Sequence, residues 1–118
     1  MDEPKVKAAA RAWLEAQGFK VKPEPAVPDT DREVILDFFA WRAGDPPEIV
    51  WVECKGDVNL SDLIEGFART EFACHMGGGR GILAAPQEQV AQMLKYSGFF
   101  SQAPHVSIQP FPDDNSRP

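Results

Sequence analysis

The sequence lacks the features that would place it in a membrane or in a disulfide-stabilised scaffold. No hydrophobic run approaches the roughly 20 residues of a membrane-spanning helix, and the chain does not open on the pattern of a secretory signal peptide. It has only two cysteines, Cys54 and Cys74, and two histidines, His75 and His105, none with the spacing of a zinc site. We therefore expect a reduced, cytoplasmic protein that does not contact a membrane.

Positive charge is also scarce. The 12 lysines and arginines face 18 aspartates and glutamates, which gives a net charge of −6. This balance argues against a protein that binds nucleic acid through a broad phosphate-binding surface. The charges are uneven, because residues 24–65 hold eleven acids and three bases, whereas residues 1–22 are richer in cations. The candidates for weak nucleic-acid binding are therefore Lys5, Lys7, Arg11, Lys20 and Lys22.

Hydrophobic periodicity predicts an α/β chain with the order α-β-β-β-α-β-α-β, folded as a single domain over residues 1–111. A helix at 4–17 precedes a short strand at 19–22, a proline-containing loop, and two strands at 34–41 and 49–55. A second helix ends near residue 77, and the buried strand at 81–85 after it predicts a crossover into the same sheet. A third helix and an edge strand at 106–109 follow, and we expect residues 112–118 to be disordered. The sheet is therefore mixed and flanked by helices.

Three charged residues stand out because they lie in or beside strands that are otherwise apolar. Glu53 and Lys55 point to the same face of their strand, since strand side chains alternate. A hairpin that closes near Arg42 and Glu48 brings Asp37 opposite Glu53. Paired carboxylates suit hard cations such as Mg²⁺ or Mn²⁺, and a neighbouring lysine can position or activate a water molecule. The pattern is typical of a site that cuts phosphodiester bonds.

Simpler interpretations of the same residues stay open. The Glu-x-Lys tripeptide occurs often by chance, and an exposed strand face commonly carries a cross-strand charge pair that aids solubility. Glu65 and Arg69 lie four residues apart on the second helix and are interpreted as a solvated ion pair. Trp41 and Trp51 are interpreted as core residues beneath a helix, in preference to platforms on which bases stack.

The chain resembles the PD-(D/E)XK nuclease superfamily, whose members share a restriction-endonuclease-like fold with an αβββαβ core. The family pattern is a helix that ends in Gly-Phe, here Gly18 and Phe19, followed by an aspartate on the second strand and Glu-x-Lys on the third. The resemblance implies that Asp37 and Glu53 bind the metal ion and that Lys55 is the catalytic lysine.

The details of the resemblance extend to neighbouring positions. The backbone carbonyl of Cys54 would lie near the metal, and the third strand is similar to that of small Holliday-junction resolvases and modification-dependent restriction enzymes. The sequence departs from the family at two places. Leu36 stands where the proline of the family name would be, and Lys7 and Ala8 occupy the region in which resolvases carry a further acid.

The resemblance implies an enzyme, a Mg²⁺- or Mn²⁺-dependent endonuclease that acts on DNA. The alternative is a catalytically inactive or partner-dependent module of the same fold, which the net charge of −6 favours. The sequence leaves open whether the substrate is a junction, a flap, a modified site or RNA. A domain of this size would cut both strands of a duplex most easily as a symmetric homodimer.

Overall fold

The computed structural model describes residues 1–112, and its first helix, α1 (Glu3–Ala16), begins where the sequence supplies a cap. The Asp2 side chain accepts a hydrogen bond from the backbone N–H of Lys5, and a proline occupies the first turn. Val6, Ala10 and Leu14 recur every four residues and form the buried stripe of the helix. The remaining elements are β1 (Lys20–Pro23), β2 (Phe38–Arg42), β3 (Glu48–Cys54), α2 (Leu60–Gly77), β4 (Arg80–Pro86), α3 (Gln87–Met93), a 3-10 turn (Leu94–Tyr96), α4 (Ser97–Phe100) and β5 (Val106–Phe111).

The five strands form one mixed sheet in the order β1-β2-β3-β4-β5. Strands β1 to β3 are an antiparallel meander, and β4 and β5 run parallel to β3 and to β4 respectively. A parallel neighbour requires a crossover, which α2 supplies between β3 and β4 and the short helices supply between β4 and β5. The predicted α/β class, the mixed sheet flanked by helices and the crossover after the second helix are confirmed.

The β2–β3 hairpin closes where the sequence predicts, with Arg42 opposite Glu48 and Phe38 opposite Val52. The second strand is shorter than expected, because β2 begins at Phe38 and not near residue 34. The preceding segment, 24–37, is irregular, and four of its residues adopt positive φ angles, which turn the backbone out of an extended path: Glu24, Asp29, Asp31 and Arg32. Asp37 therefore lies just before the strand and not within it.

Helices α1 and α2 pack on opposite faces of the sheet. The stripe of α1 contacts alternate β3 residues, including Val50, Val52 and Cys54, whereas α2 lies over β3 and β4 on the side of Trp51 and Leu83. Within residues 1–112, no helix has the length and hydrophobicity that crossing a bilayer requires. Of the tail expected to be disordered, residues 113–118 lie outside the described residues.

The backbone of α1 rests directly on Gly56, the second residue after β3. A Cβ atom at this position would lie 2.5 Å from the backbone nitrogen of Glu3. We expect Gly56→Ala to lower the free energy of unfolding by about 1–3 kcal/mol, because the start of α1 must move away from the sheet. Gly98→Ala is the matched control, since no atom lies within 4 Å of a Cβ placed there. Urea denaturation measures both, and equal stabilities would contradict the close approach.

Candidate active site

Asp37 is held against the end of β3 by hydrogen bonds on several sides. Its backbone N–H donates to the carbonyl oxygen of Val52 at 3.1 Å, and its own carbonyl accepts from the N–H of Glu24 at 2.9 Å. Its side-chain Oδ2 accepts from the backbone N–H of Cys54 at 2.7 Å. The carboxylate is therefore fixed at the point where β3 ends, although Asp37 itself precedes a strand.

Glu53 lies beside Asp37 and is the one charged residue among residues 1–112 that is buried, with a relative exposure of 6%. Burial, a hydrogen bond to Asp37 and repulsion from the Asp37 charge together raise the pKa of Glu53 to about 8. The predicted meeting of the two carboxyl groups is therefore present. Two like charges so close together are unfavourable unless a proton or a cation intervenes.

Two cations compensate the carboxyl groups, one from each of the long helices. The ammonium nitrogen of Lys7 on α1 lies 3.2 Å from Asp37 Oδ1, and hydrogen bonding to Asp37 raises the pKa of Lys7. Arg69 on α2 donates from Nε to Glu53 Oε2 at 3.0 Å, which counteracts part of the rise in the pKa of Glu53. The site therefore lies at the end of the sheet, where both helical layers reach it.

Arg69 is the site residue that the sequence interpretation missed. Its predicted partner was Glu65, but its guanidinium instead contacts Glu53 and donates from one terminal nitrogen to the carbonyl oxygen of Ile35 at 2.7 Å. The interpretation of Glu65 and Arg69 as a solvated ion pair is therefore wrong. Helical spacing could have indicated this position. Arg69 follows the buried Gly66 by three residues and therefore borders the buried stripe of α2.

Lys55 lies just after β3, on the same side as α2. Its backbone N–H donates to the carbonyl oxygen of Ala84 at 2.9 Å, which continues the parallel pairing by one residue. Its side chain runs over Gly66, where an added Cβ would lie 2.9 Å from Lys55 Cε. Within residues 1–112 the ammonium group forms no ion pair. Glu53 and Lys55 therefore share a side of the sheet, but Lys55 does not contact either carboxylate.

The side chains at this site offer few ligands for a divalent metal ion. Among the described residues, no group of three or more Asp, Glu, His or Cys side chains could hold a metal. The Cys54 thiol packs into the core under α1, and burial together with the charges of Asp37 and Glu53 raises its pKa, so it stays protonated. Only the backbone of Cys54 is left for the site. A pair of carboxylates still fits Mg²⁺, which commonly binds one or two carboxylates and completes its coordination with water and substrate phosphates.

The five predicted nucleic-acid-binding cations do not form one surface. Lys5 is exposed on α1, and Arg11 forms an ion pair with Glu15 at 3.5 Å on the same helix. Lys7 belongs to the group around Asp37 and Glu53, which we call the carboxylate cluster. Lys20 and Lys22 lie instead on β1, paired with Trp41 and Phe39 of β2, and so face the opposite side of the sheet from α1.

The two strand tryptophans differ in their environment. Trp51 is a core residue as predicted, 4% exposed, and its indole N–H donates to the carbonyl oxygen of Gly78 at 3.1 Å. Trp41 is 37% exposed, so its interpretation as a core residue is wrong. The reason is the position of α2, which ends above Trp51 and lies over β3 and β4, whereas Trp41 is on β2.

The raised pKa of Glu53 predicts a stability that depends on pH. In the native state Glu53 keeps its proton up to about pH 8, whereas a model carboxyl in the unfolded chain loses it near 4.5. Unfolding between these pH values releases the proton, so the free energy of unfolding falls as the pH rises through this window. The fall amounts to a few kcal/mol, because one pKa unit corresponds to about 1.4 kcal/mol.

We expect Glu53→Gln to remove most of this fall when denaturation is measured in a chelating buffer between pH 4.5 and 8. The matched control is Glu48→Gln, because Glu48 is exposed and pairs with Arg42 and Arg80. A slope that is unchanged in Glu53→Gln would show that another group is responsible.

Comparison with known proteins does not identify a function, so a functional proposal depends on the geometry of this site. No protein-family model matches the chain, and no curated protein or solved structure is significantly similar to it. The resemblance of Asp37, Glu53 and Lys55 to the PD-(D/E)XK nuclease pattern therefore stays a prediction.

Proposed function

We propose that this chain is a Mg²⁺-dependent phosphodiesterase that cleaves DNA, with its active site at Asp37, Glu53 and Lys55. One observation carries the proposal: two carboxyl groups are held side by side at the end of the sheet, one of them almost fully buried. Burial and repulsion both oppose the ionisation of such a pair, so the fold has to compensate it with cations of its own. Groups perturbed in this way are found most often at functional sites.

Asp37 and Glu53 would hold the metal ion, with the backbone carbonyl of Cys54 as the third protein ligand implied by the resemblance. A Mg²⁺ ion held by these residues would lower the pKa of a coordinated water and would stabilise negative charge on phosphate. The hydrogen bond from Cys54 N–H to Asp37 Oδ2 orients one carboxylate, and Arg69 orients the other. Both acids are therefore positioned before any ligand arrives, which lowers the cost of binding.

Lys55 would orient the attacking water or accept its proton. Its ammonium has no carboxylate partner in the described part of the chain, so it is available to a phosphate or a water molecule. The stem is confined by Gly66 on α2, which restricts the positions that the ammonium can reach. A positioned proton-transfer group of this kind typically contributes about 10²–10⁴-fold to a rate.

The second candidate is an inactive or partner-dependent module of the same architecture. The observation that favours it is the pairing of both acids with cations of this chain, Lys7 with Asp37 and Arg69 with Glu53. Such a network can be a purely structural way to satisfy buried carboxylates. Titration with metal ions separates the two candidates, because a closed ion-pair network has no affinity for Mn²⁺.

We propose a cytoplasmic location, which is consistent with the free thiols of Cys54 and Cys74. A second copy of the chain or a separate DNA-binding partner would supply the affinity for nucleic acid that a net charge of −6 does not favour.

The decisive experiment compares metal binding with cleavage in two variants. We expect Asp37→Asn to lose both Mn²⁺ binding, measured by calorimetry, and cleavage of labelled DNA. Lys55→Ala should bind Mn²⁺ with nearly the affinity of the wild type and lose cleavage by about 10²-fold or more, since lysine is not a metal ligand. The substrate panel contains single strands, flaps, four-way junctions and duplex.

The controls are Glu48→Gln for the acids and Lys95→Ala for the lysine, both exposed and outside the site. Mn²⁺ binding that survives Asp37→Asn would move the metal elsewhere. If the wild type binds no Mn²⁺ and cuts no member of the panel, the inactive module is the correct assignment.

The position of the Lys55 ammonium can be tested without replacing Lys55. In Gly66→Ala the new methyl group would lie 2.9 Å from Lys55 Cε and 3.2 Å from Leu83 Cδ1, so the lysine side chain must shift. We expect slower cleavage with unchanged Mn²⁺ affinity. The stability should change little, because the gain in helix propensity of up to about 1 kcal/mol offsets the local crowding. A wild-type cleavage rate in this variant would contradict the proposed role of Lys55.

A further inference from the structure

The face of strands β1 and β2 that lies opposite α1 combines one exposed aromatic ring, Trp41, and one half-buried ring, Phe39, with unpaired cations. The rings of Phe39 and Trp41 lie 5.7 Å apart and are tilted by only 31°. Lys22 lies opposite Phe39 and Lys20 opposite Trp41 in the sheet register, and both lysines are exposed. Neither lysine forms an ion pair with any residue in 1–112. Together with Pro47, these residues border a groove, and we call this surface the aromatic face.

The aromatic face lies on the same side of the sheet as Glu53, and the buried Trp51 lies between the two. Phe39 follows Asp37 by two residues, and its ring packs at 4.8 Å from Trp51, which precedes Glu53 by two residues on β3. Trp41 lies four residues from Asp37, a distance of roughly 13 Å along a strand. The part of the groove lined by Lys22, Phe39, Trp41, Pro47 and Ile49 has a volume of about 430 Å³. One side of the sheet therefore carries acids at one end and, at the other, two lysines beside the exposed ring of Trp41 and the half-buried ring of Phe39.

We propose that the aromatic face binds a single-stranded segment of DNA and leads it to the carboxylate cluster; this inference rests on the proposed phosphodiesterase function. Unpaired bases would stack on Trp41 and Phe39, and the phosphates would pair with Lys20 and Lys22. Stacking on aromatic rings combined with a few cations is the usual chemistry of single-strand recognition. The substrate class is therefore DNA with an unpaired stretch beside the scissile phosphate.

The charges of the aromatic face favour a single strand over a duplex. Two lysines are too few to hold the backbone of a double helix, whose binding depends mainly on many phosphate contacts. Base faces inside a duplex are already stacked and cannot reach a surface ring. Glu48, the acid at the hairpin end of β3, is neutralised by Arg42 and Arg80, so it does not repel a strand that enters there.

The experiment measures binding of a fluorescent oligothymidylate to the full chain by anisotropy, at low salt and in a chelating buffer so that nothing is cut. We expect Trp41→Ala to weaken binding about tenfold and Trp41→Phe to restore most of it, because phenylalanine keeps a ring on which a base can stack. The control is Phe99→Ala, which removes an aromatic side chain that is 53% exposed but lies outside this face.

A second pair of variants tests the lysines through the dependence on salt. In the double variant Lys20→Gln and Lys22→Gln, the slope of log affinity against log salt should fall by about 1.4, since each phosphate contact to a single strand contributes about 0.7. Lys95→Gln, an exposed lysine on the 3-10 turn, should leave the slope unchanged. Circular dichroism verifies that each variant is folded.

Each result decides one of the two proposals. Equal losses in Trp41→Ala and Phe99→Ala, tighter binding of duplex than of single strand, or no binding at low salt would overturn the inference. So would a wild-type dimer that Trp41→Ala converts to a monomer without any binding of oligonucleotide, which would make this face an interface between copies. Binding at the aromatic face with no cleavage in Mg²⁺ would support the binding of DNA by this face and reject the phosphodiesterase function. Cleavage with an unchanged KM in Trp41→Ala would support the phosphodiesterase function and reject the binding of DNA by this face.

Discussion

The organisation of the site follows from the free-energy cost of holding two carboxyl groups together where solvent has little access. Glu53 is buried and Asp37 is fixed beside it, so each ionised form needs a compensating positive charge. Lys7 and Arg69 supply that charge, and they come from helices on opposite sides of the sheet. The acids are therefore the point at which the sheet and both helical layers interact electrostatically.

Close packing also fixes the positions of the groups around the two acids. Residues 56 and 66 lack side chains where the backbone of α1 and the stem of Lys55 approach, and larger residues would push both away. The hydrogen bond from Lys55 N–H to Ala84 extends the parallel pairing of β3 and β4 past the last strand residue. Polar groups at the end of the sheet are thus positioned by apolar packing and backbone pairing, which makes their geometry a property of the whole fold.

The sequence predicted most of the architecture because periodicity and turn residues act locally. The hairpin register and the crossover after the second helix both depend on neighbouring residues, and both are observed. Arg69 was missed because its partners, Glu53 and Ile35, lie far away in the chain, and a local rule favoured Glu65 instead. The exposure of Trp41 depends on where α2 ends in space, which no pattern within β2 reveals. The sequence pattern was thus enough to name the two acids, whereas the cations that face them could be identified only from the fold.

One guanidinium adds a second connection between the irregular 24–37 segment and the end of β3. Arg69 donates both to Glu53 and to the carbonyl oxygen of Ile35, so it attaches the middle of this segment to Glu53, in addition to the contacts of Asp37 at the end of the segment. Any ligand that competes with Arg69 for Glu53 also weakens the hold on that segment. Linkage is reciprocal, so a molecule that orders the segment would in turn change the affinity of the acids for their ligand. The anchor of the segment and the occupancy of the site are therefore one coupled equilibrium.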